Sequence, residues 1–114
     1  MKSGSYVPEQ GDIVWLNFDP QVGREQKGKR PALILSPKIY NAKTSLCLAL
    51  PITSKVKGYP FEVALPETLP VTGVILSDQV KSLDFRIREA TYVCTVPREV
   101  LETVQNNVKA LIEG

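Results

Sequence analysis

Apolar residues along the chain fall into short runs separated by glycine, proline and charge. Ile13, Val14, Trp15, Leu16 and Phe18 give a first strand over residues 12–18 after the Gly11-Asp12 turn, and Asp19-Pro20 stops it. Residues 31–36 carry Ala32, Leu33, Ile34 and Leu35 and read as a buried second strand closed by Pro37. The same pattern predicts strands over 45–53, 59–65, 73–79 and 89–96, set apart by turn signals such as Lys57-Gly58 and Leu69-Pro70. Short strands at this spacing point to a small barrel or sandwich. Near the C-terminus the period changes. Val100, Leu101, Val104, Val108, Leu111 and Ile112 recur every three to four residues, which predicts one helix with a core-packing stripe. Pro97 suits its first turn, and Glu99 favours the positive end of its dipole. No linker, repeat or low-complexity tract interrupts the chain, so residues 1–114 are expected to form a single domain.

Composition agrees with a folded chain and narrows its chemistry. At 114 residues and 43% hydrophobic, there is enough apolar surface for one core. The net charge of +2 and pI near 8.6 are mild, so they permit a nucleic-acid partner without announcing one. No apolar stretch approaches the roughly 20 residues that span a bilayer. The N-terminus Met1-Lys2-Ser3-Gly4-Ser5-Tyr6 has no signal-like apolar segment, and the expected location is the cytoplasm, away from membranes. Cys47 and Cys94 sit inside apolar runs and read as buried reduced thiols. Histidine is absent, which removes histidine-based hydrolytic triads, paired-histidine ribonuclease chemistry and most zinc sites. No metal site and no cofactor is expected. Acid–base chemistry must then fall to carboxylate, arginine, lysine, tyrosine or backbone groups.

The charge is concentrated in one place. Gly23-Arg24-Glu25-Gln26-Lys27-Gly28-Lys29-Arg30-Pro31 joins the first two strands. Arg24, Lys27, Lys29 and Arg30 supply donors for a phosphodiester, Glu25 is an acceptor, and two glycines let the backbone mould around a ligand. An exposed hairpin turn kept solvated by its charges has the same composition.

Gly11-Asp12-Ile13-Val14-Trp15, Asp19-Pro20, the charged run through Ala32, Pro51-Ile52-Thr53, Lys57-Gly58-Tyr59-Pro60-Phe61 and Asp78-Gln79-Val80-Lys81-Ser82 together resemble the MazF/PemK mRNA interferases, the toxins of type II toxin-antitoxin modules. The fragments occur in order over nearly the whole chain and look more like the MazF branch than the PemK/Kid branch. The resemblance implies a mainly β fold, a small SH3-like antiparallel barrel with a C-terminal α-helix. It implies a homodimer whose groove takes single-stranded RNA, and inhibition by an acidic MazE-like antitoxin. It also implies sequence-specific, metal-independent endoribonuclease activity, in which the RNA 2′-hydroxyl attacks its own 3′ phosphodiester to leave a cyclic phosphate and a 5′-hydroxyl.

That reaction needs a proton acceptor, a cation beside the non-bridging oxygens and a donor that holds the phosphate in line. Glu25, Arg30 and Thr53 match the family positions given these jobs. Arg30 offers phosphate a planar fork that stays charged at any working pH. An exposed glutamate is a weak base unless its site raises its pKa, so Glu25 serves either as base or as the group that orients Arg30. Thr53, at a strand end, either reaches a phosphate or caps a turn. Asp78 is a rival base, but relatives that use it carry an arginine two residues earlier, where this chain has Leu76. Asn17, Phe18 and Gln79 lie at positions for base readout, where unstacked bases need aromatic faces and edge donors. Lys29, Lys57 and Lys81 are candidate phosphate contacts. Asn17 stands where close relatives have an acidic residue and Lys29 where some have histidine, so the resemblance leaves the RNA sequence preference and any leaving-group protonation by that side chain open.

Two other classes share the architecture. A gyrase poison of the CcdB type acts through a C-terminal tryptophan, whereas this chain ends Leu111-Ile112-Glu113-Gly114 and has only Trp15. A non-catalytic SH3-like module that binds proline-rich peptide needs clustered aromatics, and the 7% here are dispersed.

Overall fold

A computed structural model describes residues 6–18 and 28–114. Seven strands and two helices follow in the order β1 (Asp12–Asn17), β2 (Lys29–Ile34), α1 (Lys38–Thr44), β3 (Leu46–Thr53), β4 (Glu62–Ala64), β5 (Val74–Leu76), β6 (Lys81–Asp84), β7 (Thr91–Thr95) and α2 (Arg98–Glu113). All pairings are antiparallel, and the sheet runs β4-β5-β3-β2-β1-β7 with β6 added on β3. One edge of β3 is shared. Its first half, Leu46 to Ala49, pairs with β6, and its end, Ile52 and Thr53, pairs with β5. Splitting that edge curls the sheet into a barrel-like shape, but among the described residues β4 and β7 do not pair to close it.

The pleat sorts each strand into two cores. Ile13 stands opposite Leu33, and Leu33 opposite Leu50, and all three face a cluster with Ile52, Ile75, Val100 and Val104 that α2 covers. Val14, Leu16, Ala32, Ile34, Cys47, Ala49, Leu83 and Phe85 make the cluster on the other face. With both faces buried, β1 and β2 read as continuous apolar runs rather than alternating ones. The arm before β1 is tied down by Asp12, a buried carboxylate that accepts hydrogen bonds from Tyr6 Oη (2.8 Å), the Glu9 N–H (3.0 Å) and Thr95 Oγ1 (3.2 Å).

Helix α2 starts just after Pro97, which is its N-cap rather than a residue of its first turn. Val100 and Val104 are buried, but Leu111 and Ile112 are 48% and 78% exposed. The predicted stripe therefore meets the core as far as Val108, which packs against it partly buried, and leaves it at Leu111 and Ile112. Sixteen helical residues extend about 24 Å, and residues 109–113 of the last turn are exposed.

Two elements differ from the sequence expectation of six strands and one helix. Helix α1 has no apolar stripe to read, since Ile39 and Tyr40 are exposed and Asn41 is its one buried residue. Polar bonds hold it. Asn41 Nδ2 donates to the carbonyls of Pro8 (2.9 Å) and Ser36 (3.1 Å), and Ser36 Oγ donates to Asn41 Oδ1 at 2.6 Å. Strand β6 was missed because Leu83 is its only buried residue, and its place is set by the ladder with β3. Strand β2 keeps the expected six residues but starts two earlier, at Lys29, and the other expected strands are shorter than predicted. The span 73–79 contracts to β5, 59–65 to β4, and 89–96 begins at Thr91 because Glu89 turns in the left-handed region at φ 59°.

Candidate functional site

The candidate site is the polar end of an apolar face. In β1, Val14 and Leu16 lead to Phe18. In β2, Ile34 and Ala32 lead to Arg30, and in β3, Cys47, Ala49 and Pro51 lead to Thr53. Arg30 is paired with Leu16, and Ala32 with both Val14 and Pro51. Two residues further along each strand, the same register sets Arg30 beside Thr53 on one face. Lys81, opposite Ala49 on β6, extends the row.

These residues line an open groove of about 610 Å³, with Phe18, Arg30, Thr53, Gln79, Lys81 and Arg88 as its chemically active members. Arg30 is exposed and forms no ion pair within 4 Å among the described residues. Thr53 Oγ1 accepts from the Lys55 N–H at 3.1 Å. The hydroxyl proton is then left to donate elsewhere, so the turn-capping role and the phosphate-holding role of Thr53 are compatible. Beyond Thr53 and Gln79 lies a smaller hollow of about 180 Å³ that takes in Lys57 and Tyr59. Its wall is shaped by Glu62, whose carboxylate accepts from the N–H groups of Lys57 (2.9 Å) and Gly58 (2.8 Å).

Arg88 has no counterpart in the sequence reading. The turn after β6 brings it across β1, where Nη1 donates to the carbonyls of Asn17 (3.1 Å) and Phe18 (3.0 Å) and its own carbonyl accepts from the Asn17 N–H at 2.9 Å. Sequence separation of some 70 residues hid this clamp, and no local spacing signals it.

Asn17 and Lys29 are placed differently. They pair with each other across β1 and β2, one residue out of phase with Phe18 and Arg30, and do not line the groove. Lys29 Nζ stands 3.7 Å from Glu89 Oε1 in a largely exposed pair, worth under about 1 kcal/mol. Asp78 lies beside Tyr59, with Oδ1 3.4 Å from Oη, and does not line the groove. Burial and the Asp78 carboxylate both raise the Tyr59 pKa, keeping the phenol protonated at neutral pH. Glu25, like Arg24 and Lys27, lies outside the described residues. The ends of that segment are described, and the Phe18 N–H donates to the Gly28 carbonyl at 3.0 Å, which closes its base at the rim of the groove.

Residues 9–112 match the PemK-like, MazF-like toxin family of type II toxin-antitoxin systems. The chain belongs to this family. It is 50% identical to the endoribonuclease toxin MazF of Escherichia coli K12 over 107 residues, covering 94% of this chain and 96% of that protein. Endoribonuclease PemK of Escherichia coli is 31% identical over 108 residues, covering 91% and 81%. Among solved structures, the form I crystal structure of MazF from Deinococcus radiodurans superposes with a TM-score of 0.88 at 51% identity, covering 96% of this chain and 100% of that one, and a chain of the form II MazE-MazF crystal structure from the same organism superposes with a TM-score of 0.89. Identity is thus higher to the Escherichia coli MazF than to PemK, and the fold is that of the Deinococcus MazF.

Proposed function

We propose that the protein is an endoribonuclease toxin that cuts single-stranded RNA by transesterification and is neutralised by an acidic MazE-like antitoxin. The observation that carries this is the placing of Arg30 and Thr53 side by side at the end of one sheet face, in a groove otherwise lined by Phe18, Gln79, Lys81 and Arg88. Such a groove offers cations for the phosphates, an aromatic face for a base and an amide for a base edge.

In the reaction, the 2′-hydroxyl attacks the adjacent phosphorus, a P–O2′ bond forms, and the P–O5′ bond breaks. The products are a 2′,3′-cyclic phosphate and a 5′-hydroxyl. Arg30 meets the charge that grows on the non-bridging oxygens, and the Thr53 hydroxyl donates to one of them to hold the line of attack. Arg88 and Lys81 hold neighbouring phosphates. Glu25, which precedes Gly28 by three positions in the sequence, is proposed to accept the 2′-hydroxyl proton or to steer Arg30. The group that gives its proton to the leaving 5′-oxygen is water or a lysine of the groove. The active unit is an isologous homodimer.

The test is incubation of the purified protein with a long RNA in excess chelator, followed by mapping of the new ends. Cyclic phosphates and 5′-hydroxyls at short recurring motifs are expected. Ends bearing 5′-phosphate, or no cleavage until a divalent cation is added, would contradict the reading.

A further inference from the structure

We infer that Gly73 is a positioning residue for the reaction, acting through Thr53. The inference rests on the reading of Thr53 as a phosphate-holding group. Thr53 ends β3 and is paired with Val74, so Gly73 crosses directly beside the backbone that carries the catalytic hydroxyl. A Cβ built on Gly73 would fall 2.2 Å from the Thr53 carbonyl oxygen, 2.9 Å from its carbonyl carbon and 3.2 Å from Ser54 Cα. All three are backbone atoms, so no side chain can swing away to relieve the contact. The residue also sits at φ +121°, where an L side chain is strained in any case. On its other side the Gly73 carbonyl accepts from the Leu65 N–H at 3.0 Å, which holds it against β4 and limits retreat. The strand end is therefore the part that must give. Moving Thr53 carries its hydroxyl, together with the Lys55 N–H bound to it, out of its present place in the groove.

The experiment is a double-mutant cycle on Gly73→Ala and Thr53→Ala, with steady-state cleavage of a short RNA and urea unfolding of each variant. Displacing the hydroxyl predicts that G73A lowers kcat on the order of 100-fold with KM changed less than about threefold. In the T53A background, where the hydroxyl is already gone, the same substitution should lower kcat by less than about threefold. An equal loss in both backgrounds would overturn the inference, because the effect would not pass through Thr53. Wild-type cleavage by T53A would overturn the reading of Thr53 and the inference together. A D-alanine at position 73, placed by chemical synthesis, accepts positive φ and puts its methyl along the other Cα–H direction instead of the one that meets the Thr53 carbonyl. It should retain kcat within about threefold whether or not the L-alanine variant folds, and a loss as large as that of G73A would also refute the proposal.

Discussion

At the scale of single residues, Arg30 and Cys47 mark opposite extremes of the same sheet face. Arg30 is exposed at its end, so Arg30→Ala should leave stability within about 0.5 kcal/mol while lowering kcat/KM by about 10³-fold or more. Matched thermal melts and cleavage assays check both halves. Glu25→Gln keeps the shape and removes the acceptor, and should lower kcat far more than RNA affinity. If affinity and kcat fall together, Glu25 positions Arg30 and another group takes the proton. Cys47 is fully buried, and burial pushes its thiol up to about 11 from 9.0. Its neutral form is the one the fold favours. The unfolded thiol ionises first as pH rises, so stability is whole below pH 9 and declines between 9 and 11. The loss from this group alone approaches roughly 2 kcal/mol. Urea unfolding from pH 8 to 11 should show that slope, and Cys47→Ala should flatten it relative to its own value at pH 8.

At the scale of elements, β1 joins the arm before it to β7 through Asp12. Asp12→Ala leaves the Tyr6 hydroxyl, the Glu9 N–H and the Thr95 hydroxyl without that acceptor, and should cost about 3 kcal/mol of unfolding free energy. Because the groove lies at the far end of the strand, kcat of the folded variant should stay near wild type. The same contrast explains what was legible in the sequence. Strands β1, β2 and β3 and helix α2 announce themselves, because burial on two faces or along one stripe writes a dense apolar pattern. Helix α1 and strand β6 do not. One is held by Asn41 and Ser36, the other by a backbone ladder on β3, and neither device has a hydrophobic period. In the site, Arg30 and Thr53 were legible through their local motifs, and the register then brought them together. Arg88 was not, because its role depends on a turn folding over β1 from far along the chain. Asn17 and Lys29 looked like groove residues next to Phe18 and Arg30, and a two-residue pleat turns them away.

At the scale of the whole molecule, an acidic antitoxin segment and an RNA strand are both extended anions suited to a groove with Arg30, Lys81 and Arg88. Inhibition should be competitive with a non-cleavable RNA analogue and should weaken as salt rises, since exposed charges are screened beyond about 8 Å at physiological ionic strength. A ternary complex of protein, analogue and segment at one groove would point instead to inhibition from a separate site. The proposed homodimer predicts twice the chain mass by light scattering at assay concentration, and a fully active monomer at high dilution would contradict it. Under the proposed mechanism the RNA cuts itself through its own 2′-hydroxyl. The most direct measurement places a single 2′-deoxynucleotide immediately 5′ of a mapped scissile phosphate in an otherwise ribose strand. This site should be bound and left intact while identical all-ribose bonds are cut; cleavage at the deoxy position at an undiminished rate would show that the nucleophile is not the 2′-hydroxyl.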